Sequence, residues 1–171
     1  MFAHSFTRVL LGAAVAIAAT SLSFVAPVMA QSQLNHSADM CNAYNGDGTL
    51  VRRTPGFVEN SSTTEDLHLV CPMVRVAGKS TTGIANVHVV DRSTTAGIRC
   101  SFYDLRAYAQ SWTWSGWEAT LGSGPNNYKT FSFASSSSED QDGGFHHIYC
   151  ILPPSDPTYG RSVIASYSSG E

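Results

Sequence analysis

All three tryptophans of the chain fall within six residues, in the stretch Tyr108-Ala109-Gln110-Ser111-Trp112-Thr113-Trp114-Ser115-Gly116-Trp117. If Gln110 to Trp114 is extended, Trp112 and Trp114 project to one face about 7 Å apart, with Gln110 on the same side. Indoles at that spacing can stack on the apolar C–H faces of sugar rings, while an amide such as that of Gln110 takes the hydroxyls. Tyr108, Gln110, Trp112, Trp114 and Trp117 are therefore the candidate binding residues, and carbohydrate is the ligand class they suit. The plainer use of three large rings is to fill a core, and that reading comes first.

Other chemistry is harder to build. Asp91, Asp104 and Glu118 are carboxylates that would have to pair for glycoside hydrolysis, yet nothing in their spacing brings two together. The chain has no G-x-S-x-G, no H-E-x-x-H and no P-loop. No catalytic residue is assigned. Asp140-Gln141-Asp142-Gly143, with Glu139 beside it, begins like a calcium loop, but the twelfth position of the EF-hand pattern falls on Ile151, so an acidic surface loop is expected. His146 and His147 are adjacent, and on a strand they would face opposite ways and could not share one ion. No metal and no cofactor is expected.

The elements that would position these residues are strands. Val87 and Val89 alternate with His88; Ile98, Cys100 and Phe102 alternate with Arg99, Ser101 and Tyr103. Strands are also expected around Gly56 to Val58, Leu67 to Cys71, Tyr128 to Phe133, Phe145 to Leu152 and Val163 to Tyr167, with Pro72 ending the ladder on one side. Gln110 to Leu121 reads as two short strands turning at Ser115-Gly116. Gln31 to Met40 reads as a loose arm or one helical turn, and Asn45-Gly46-Asp47-Gly48 as a turn. No helical period runs beyond about ten residues, and turn signals recur about every 8–12. The fold class is thus all-β: one β-sandwich or jelly-roll-like domain of about eight antiparallel strands.

Cys41, Cys71, Cys100 and Cys150 give three possible pairings. Cys100 shares an apolar face with Ile98 and Phe102, and Cys150 shares one with Ile148 and Leu152, so these two can meet in the core. Cys41–Cys71 with Cys100–Cys150 is the favoured set. A four-thiolate zinc site would ask for C-x-x-C spacing that the chain lacks.

Disulfides imply an oxidising compartment, and the first thirty residues supply a route. Arg8 precedes the apolar run Val9 to Ala19, and Val28-Met29-Ala30 offers a small-x-small cleavage site before Gln31. Residues 1–30 are read as a signal peptide and 31–171 as the single domain. Loss of Arg8 takes the net charge from −3 to −4, and with 13% charged residues spread along the chain there is no basic footprint for nucleic acid. No second long apolar run follows, so no integral membrane segment is expected in the mature chain. The product is expected to be secreted or periplasmic.

A set of short motifs recurs in order: Cys71-Pro72 with Arg75, Val87-His88-Val89-Val90-Asp91, Cys100, Tyr149-Cys150-Ile151-Leu152-Pro153-Pro154, and Ile164-Ala165-Ser166-Tyr167 before Glu171. In that order they resemble a loose group of small secreted bacterial proteins of unknown function. The resemblance implies a bacterial source and a disulfide-tied β domain, and assigns no site. The leading expectation is a non-catalytic binding or interaction module, with polysaccharide as the favoured partner. A structural or protein-binding role at the envelope is the alternative, and a small secreted hydrolase the least favoured.

Overall fold

A computed structural model describes residues 33–44, 46–73, 84–105, 112–120, 127–134 and 145–170. The expected signal peptide, Tyr108, Gln110 and the acidic loop from Glu139 to Asp142 lie outside the described residues. Twelve strands are present among the described residues. They are β1 (Gln33–Ser37), β2 (Asn42–Ala43), β3 (Val51–Thr54), β4 (Phe57–Asn60), β5 (Leu67–Met73) and β6 (Ile84–Asp91). After these come β7 (Arg99–Leu105), β8 (Trp112–Trp114), β9 (Glu118–Ala119), β10 (Asn127–Ala134), β11 (Phe145–Leu152) and β12 (Val163–Gly170). The excess over the expected eight comes from short pieces such as the two-residue strands β2 and β9.

Two antiparallel sheets form the sandwich. Sheet A runs β10-β6-β12-β4-β3 with β1 also on β12; sheet B runs β2-β5-β11-β7-β8 with β9 also on β7. Alternation decides which side chains meet between them. Leu67, Leu69 and Cys71 of β5, Val87 and Val89 of β6, and Phe131 and Phe133 of β10 are buried, while their neighbours in sequence turn outward. Tyr167 fills the centre of sheet A and crosses the core, its hydroxyl donating to the Pro72 carbonyl at 2.7 Å. Burial of the ring pushes that phenol up to about 12.

Both disulfides form, Cys41–Cys71 and Cys100–Cys150, with Cα–Cα distances of 4.0 and 4.1 Å. Cys100 and Cys150 are directly opposed in the β7–β11 ladder, so the bond staples neighbouring strands of sheet B and points into the core. With sequence separations of 30 and 50 between their half-cystines, each loop closure takes about 4 kcal/mol of entropy from the unfolded chain.

Two local expectations are revised and one, at Pro72, is met. Gln33–Ser37 is a strand rather than a loose arm, because it pairs with β12 and lays the His36 ring on Tyr167 at 4.9 Å; the helical turn expected in this segment forms at Ala38–Met40. Pro72 ends the ladder on one side, as expected: β2 pairs with β5 no further than Val70, while β11 pairs through Pro72 to Met73. Finally, Ser115-Gly116 is not a hairpin. β8 and β9 do not pair with each other, and both run antiparallel to β7 as one interrupted edge strand.

An aromatic face on sheet B

That interruption places the candidate rings. Trp114 opposes Tyr103 and Glu118 opposes Cys100, so four steps on the β8–β9 side match three on β7. The extra residue makes a β-bulge, with Gly116 at φ 85°. The Ser115 N–H donates to the Phe102 carbonyl at 3.0 Å, and the Ser115 hydroxyl accepts the Phe102 N–H at 3.1 Å, which holds the bulge to β7. Two residues three apart on a regular strand face opposite ways. The bulge cancels that, and Trp117 joins Trp114 on the outer face of sheet B.

Trp114 is 48% exposed and Trp117 43% exposed, so the expectation that these indoles fill the core is overturned. The inward positions of this edge go to small side chains such as Thr120, whose N–H donates to the Ile98 carbonyl at 2.9 Å. Trp112 has its backbone opposite Leu105 in β8.

The strands beneath supply further rings. Trp114, Tyr103 and His147 follow one another across β8, β7 and β11 by register. Tyr103 stacks on Trp114 with centroids 6.4 Å apart and on His147 at 5.2 Å, and Phe145 lies 6.1 Å beyond His147. These rings stand on the sheet and turn their faces to one another, which leaves edges along the middle of the row. Beside the row, Tyr149 meets Tyr44 at 5.6 Å, Tyr103 at 6.2 Å and Trp117 at 5.9 Å. Its hydroxyl shares a hydrogen bond of 2.6 Å with His68 Nδ1. Burial, then the neighbouring phenols, pushes the Tyr149 hydroxyl up, so it stays neutral near pH 7. The Arg99 guanidinium carbon sits 6.0 Å from the Trp117 ring centroid.

Two polar atoms within this face have no hydrogen-bond partner, the hydroxyl of the fully buried Ser101 and Nδ1 of His147. Burial lowers His147 below the ordinary imidazole value, and the adjacent His146 lowers it further. His146 points the other way, with Nε2 3.2 Å from Asp104 Oδ1 and its ring against Phe102. No group of three or more His, Cys, Asp or Glu that could hold a metal ion occurs among the described residues.

The carboxylates expected to need pairing are dispersed. Asp91 is buried and accepts from the Ser93 N–H at 2.9 Å, the Ser162 hydroxyl at 3.0 Å, the Ile98 N–H at 3.4 Å and the Thr120 hydroxyl. Asp104 lies four residues along β7 from Cys100, the partner of Glu118, which sets the two backbones about 13 Å apart along the strand. What the face offers is stacking surface, neutral hydrogen-bonding groups and the Arg99 guanidinium beside Trp117. Sequence reasoning missed Tyr103, His147 and Tyr149 because their strands fixed faces without fixing neighbours; register supplies that.

No family model matches the chain, and neither does any curated protein. Among solved structures it is similar to the xylan-binding module CBM15, with a TM-score of 0.54 at 11% identity over 82% of this chain and 96% of that one. It is also similar to the low-affinity xylan-binding module CBM86 from Roseburia intestinalis, with a TM-score of 0.48 at 13% identity over 82% and 95%. The C-terminal CBM6 of a laminarinase from Zobellia galactanivorans gives 0.48 at 15% identity over 82% and 100%. At such identities the likeness to CBM15 shows the β-sandwich fold and nothing finer.

Proposed function

We propose that this protein is a secreted, non-catalytic carbohydrate-binding module that holds a polysaccharide on the outer face of sheet B through Trp114 and Trp117. The observation that carries the reading is the bulge that turns two half-exposed indoles onto one face, on backbone positions about two residues apart along β7, or 7 Å. Large exposed rings grouped on a rigid sheet are what a stacking site needs. Tyr103, Tyr149 and His147 hold the indoles upright and line the site with hydroxyl and imidazole groups. A fold shared with a xylan-binding module supports the class of function. Both disulfides, and the absence among the described residues of any helix long and apolar enough to cross a membrane, accord with an exported protein.

The test is binding of the oxidised chain from Gln31 to a panel of insoluble polysaccharides and a glycan array, beside Trp114→Ala and Trp117→Ala. Both sites are partly exposed, so both variants should fold. Binding weakened tenfold or more by each substitution supports the reading. Retention of full affinity by both variants refutes it.

A further inference from the structure

The opposite side of the sandwich carries a second concavity that shares no residue with the aromatic face. On the outer surface of sheet A, four neighbouring strands enclose a groove of about 420 Å³, within the range of about 300–1,000 Å³ that small-ligand sites occupy. One row of the register runs Tyr128, Val90, Val163, Glu59 across β10, β6, β12 and β4. Val90 and Val163 make an apolar floor, being nearly buried. Tyr128, 75% exposed, and Phe57, 45% exposed, stand on the two outer strands of the groove. Three strand spacings separate those walls, about 14 Å. Between them His88 Nδ1 and the Thr130 hydroxyl share a hydrogen bond of 2.9 Å.

Ala165 also lines the groove, where the β12 register slips between Ile164 and Ser166. The charged side chains on this face are engaged within the protein. Glu59 faces Arg52 at 3.7 Å, and Arg92 and Lys129 donate to the Arg161 and Ala119 carbonyls at 3.2 and 2.7 Å. A groove whose charged groups already have partners in the protein offers a ligand chiefly its rings and hydroxyls. Aromatic walls, an apolar floor and hydroxyl and imidazole rims suit the two chemistries of a pyranose, C–H faces and hydroxyls.

We propose that this groove is a second glycan site, taking a short neutral oligosaccharide between Tyr128 and Phe57. It stands independently of the sheet B reading. The two sheets of a sandwich pack about 10 Å apart with their outer faces turned away from each other. One extended chain therefore cannot lie on both sites, and the module would join two polysaccharide chains.

The experiment is an amide ¹H–¹⁵N titration of the oxidised chain with xylohexaose, cellohexaose and laminarihexaose, and with an acidic oligogalacturonate, using wild type, Tyr128→Ala and Trp114→Ala. A neutral hexasaccharide is expected to shift amides of β6, β10 and β12, and those shifts should weaken tenfold or more in Tyr128→Ala while surviving in Trp114→Ala. Tyr128 is mostly exposed, so its loss should leave the fold intact, and the unperturbed spectrum checks that. Shifts confined to β7 and β8 would overturn the second site and leave the first. Shifts confined to β6 and β10 would keep the second and remove the first. No shift at β6 and β10 from any neutral probe, or a shift there from the oligogalacturonate alone, overturns the proposal.

Discussion

Asp91 offers the sharpest test of how this sandwich is tied together. Its carboxylate lies where β6 ends, and it gathers donors from the loop to β7, from Thr120 after β9 and from Ser162 before β12. Ser162 passes the network on by accepting the Arg92 N–H at 3.0 Å. Replacing Asp91 with Asn keeps the shape and removes one acceptor atom. The cheaper orientation puts the amide nitrogen in place of Oδ2, because the Ile98 N–H at 3.4 Å is the longest of the four bonds. That orphans one buried N–H, and the hydrogen bonds that remain lose their charge assistance. The orphan costs about 1 kcal/mol at this length and the weakened bonds about 0.5–1 kcal/mol each, so Asp91→Asn should destabilise the fold by about 3 kcal/mol in all. Urea unfolding of the oxidised protein at pH 7 measures it, with the slope checked for constancy. Thr120→Val placed on Asp91→Asn should cost less than Thr120→Val alone, by about 1 kcal/mol, since the two groups share one bond. A loss under about 1 kcal/mol for Asp91→Asn would refute the account of Asp91 as a structural hub.

Two further outcomes follow from local geometry. A Cβ on Gly97 would overlap the Thr120 carbonyl oxygen, a backbone atom that cannot swing away; Gly97→Ala should therefore cost about 2–4 kcal/mol in the same urea assay, whereas Gly48→Ala, with open space around it, should stay within about 0.5 kcal/mol. Burial lowers both His147 and His36 below the ordinary value of 6.5. Between the lowered folded value and 6.5 the unfolded chain binds more protons, so stability should fall as pH drops through that window. His147→Phe keeps a ring in the stack and should flatten part of that pH dependence, which urea midpoints at pH 7.5 and 5.5 would show.

Much of the fold is legible along the chain because alternation is a strictly local signal. Val87 and Val89 against His88, and Ile98, Cys100 and Phe102 against Tyr103, take the faces that their spacing dictates. The same faces explain why Cys100 and Cys150 can bond, although only register reveals that they are direct neighbours in one sheet. β1 is not legible. Its residues, Gln-Leu-Asn-His-Ser, carry no apolar period, and they become a strand because the β12 backbone is there to pair with them. Tertiary pairing overrides a weak local preference. The site is less legible for the same reason, since Tyr103, Tyr149 and Trp117 come from separate stretches and only meet through strand order.

Both sheets show what a period-two reading leaves out. Ile164 and Tyr167 are three residues apart, yet both are buried in the core, because the β12 register slips between Ile164 and Ser166. Trp114 and Trp117 are also three apart, and both are outward, because the β8–β9 edge gains one residue over β7. A bulge converts an odd spacing into a shared face. In β12 the result is packing: Ile164 and Tyr167 close the core, and Ala165 is left at the floor of the sheet A groove. In the edge strand it is exposure, which sets two indoles side by side where a regular strand would have buried one. The same device thus shapes both proposed sugar-binding faces, and it is invisible to alternation because it breaks alternation. Gly116 at positive φ is the one trace it leaves in the sequence, and a glycine between tryptophans reads equally well as a turn.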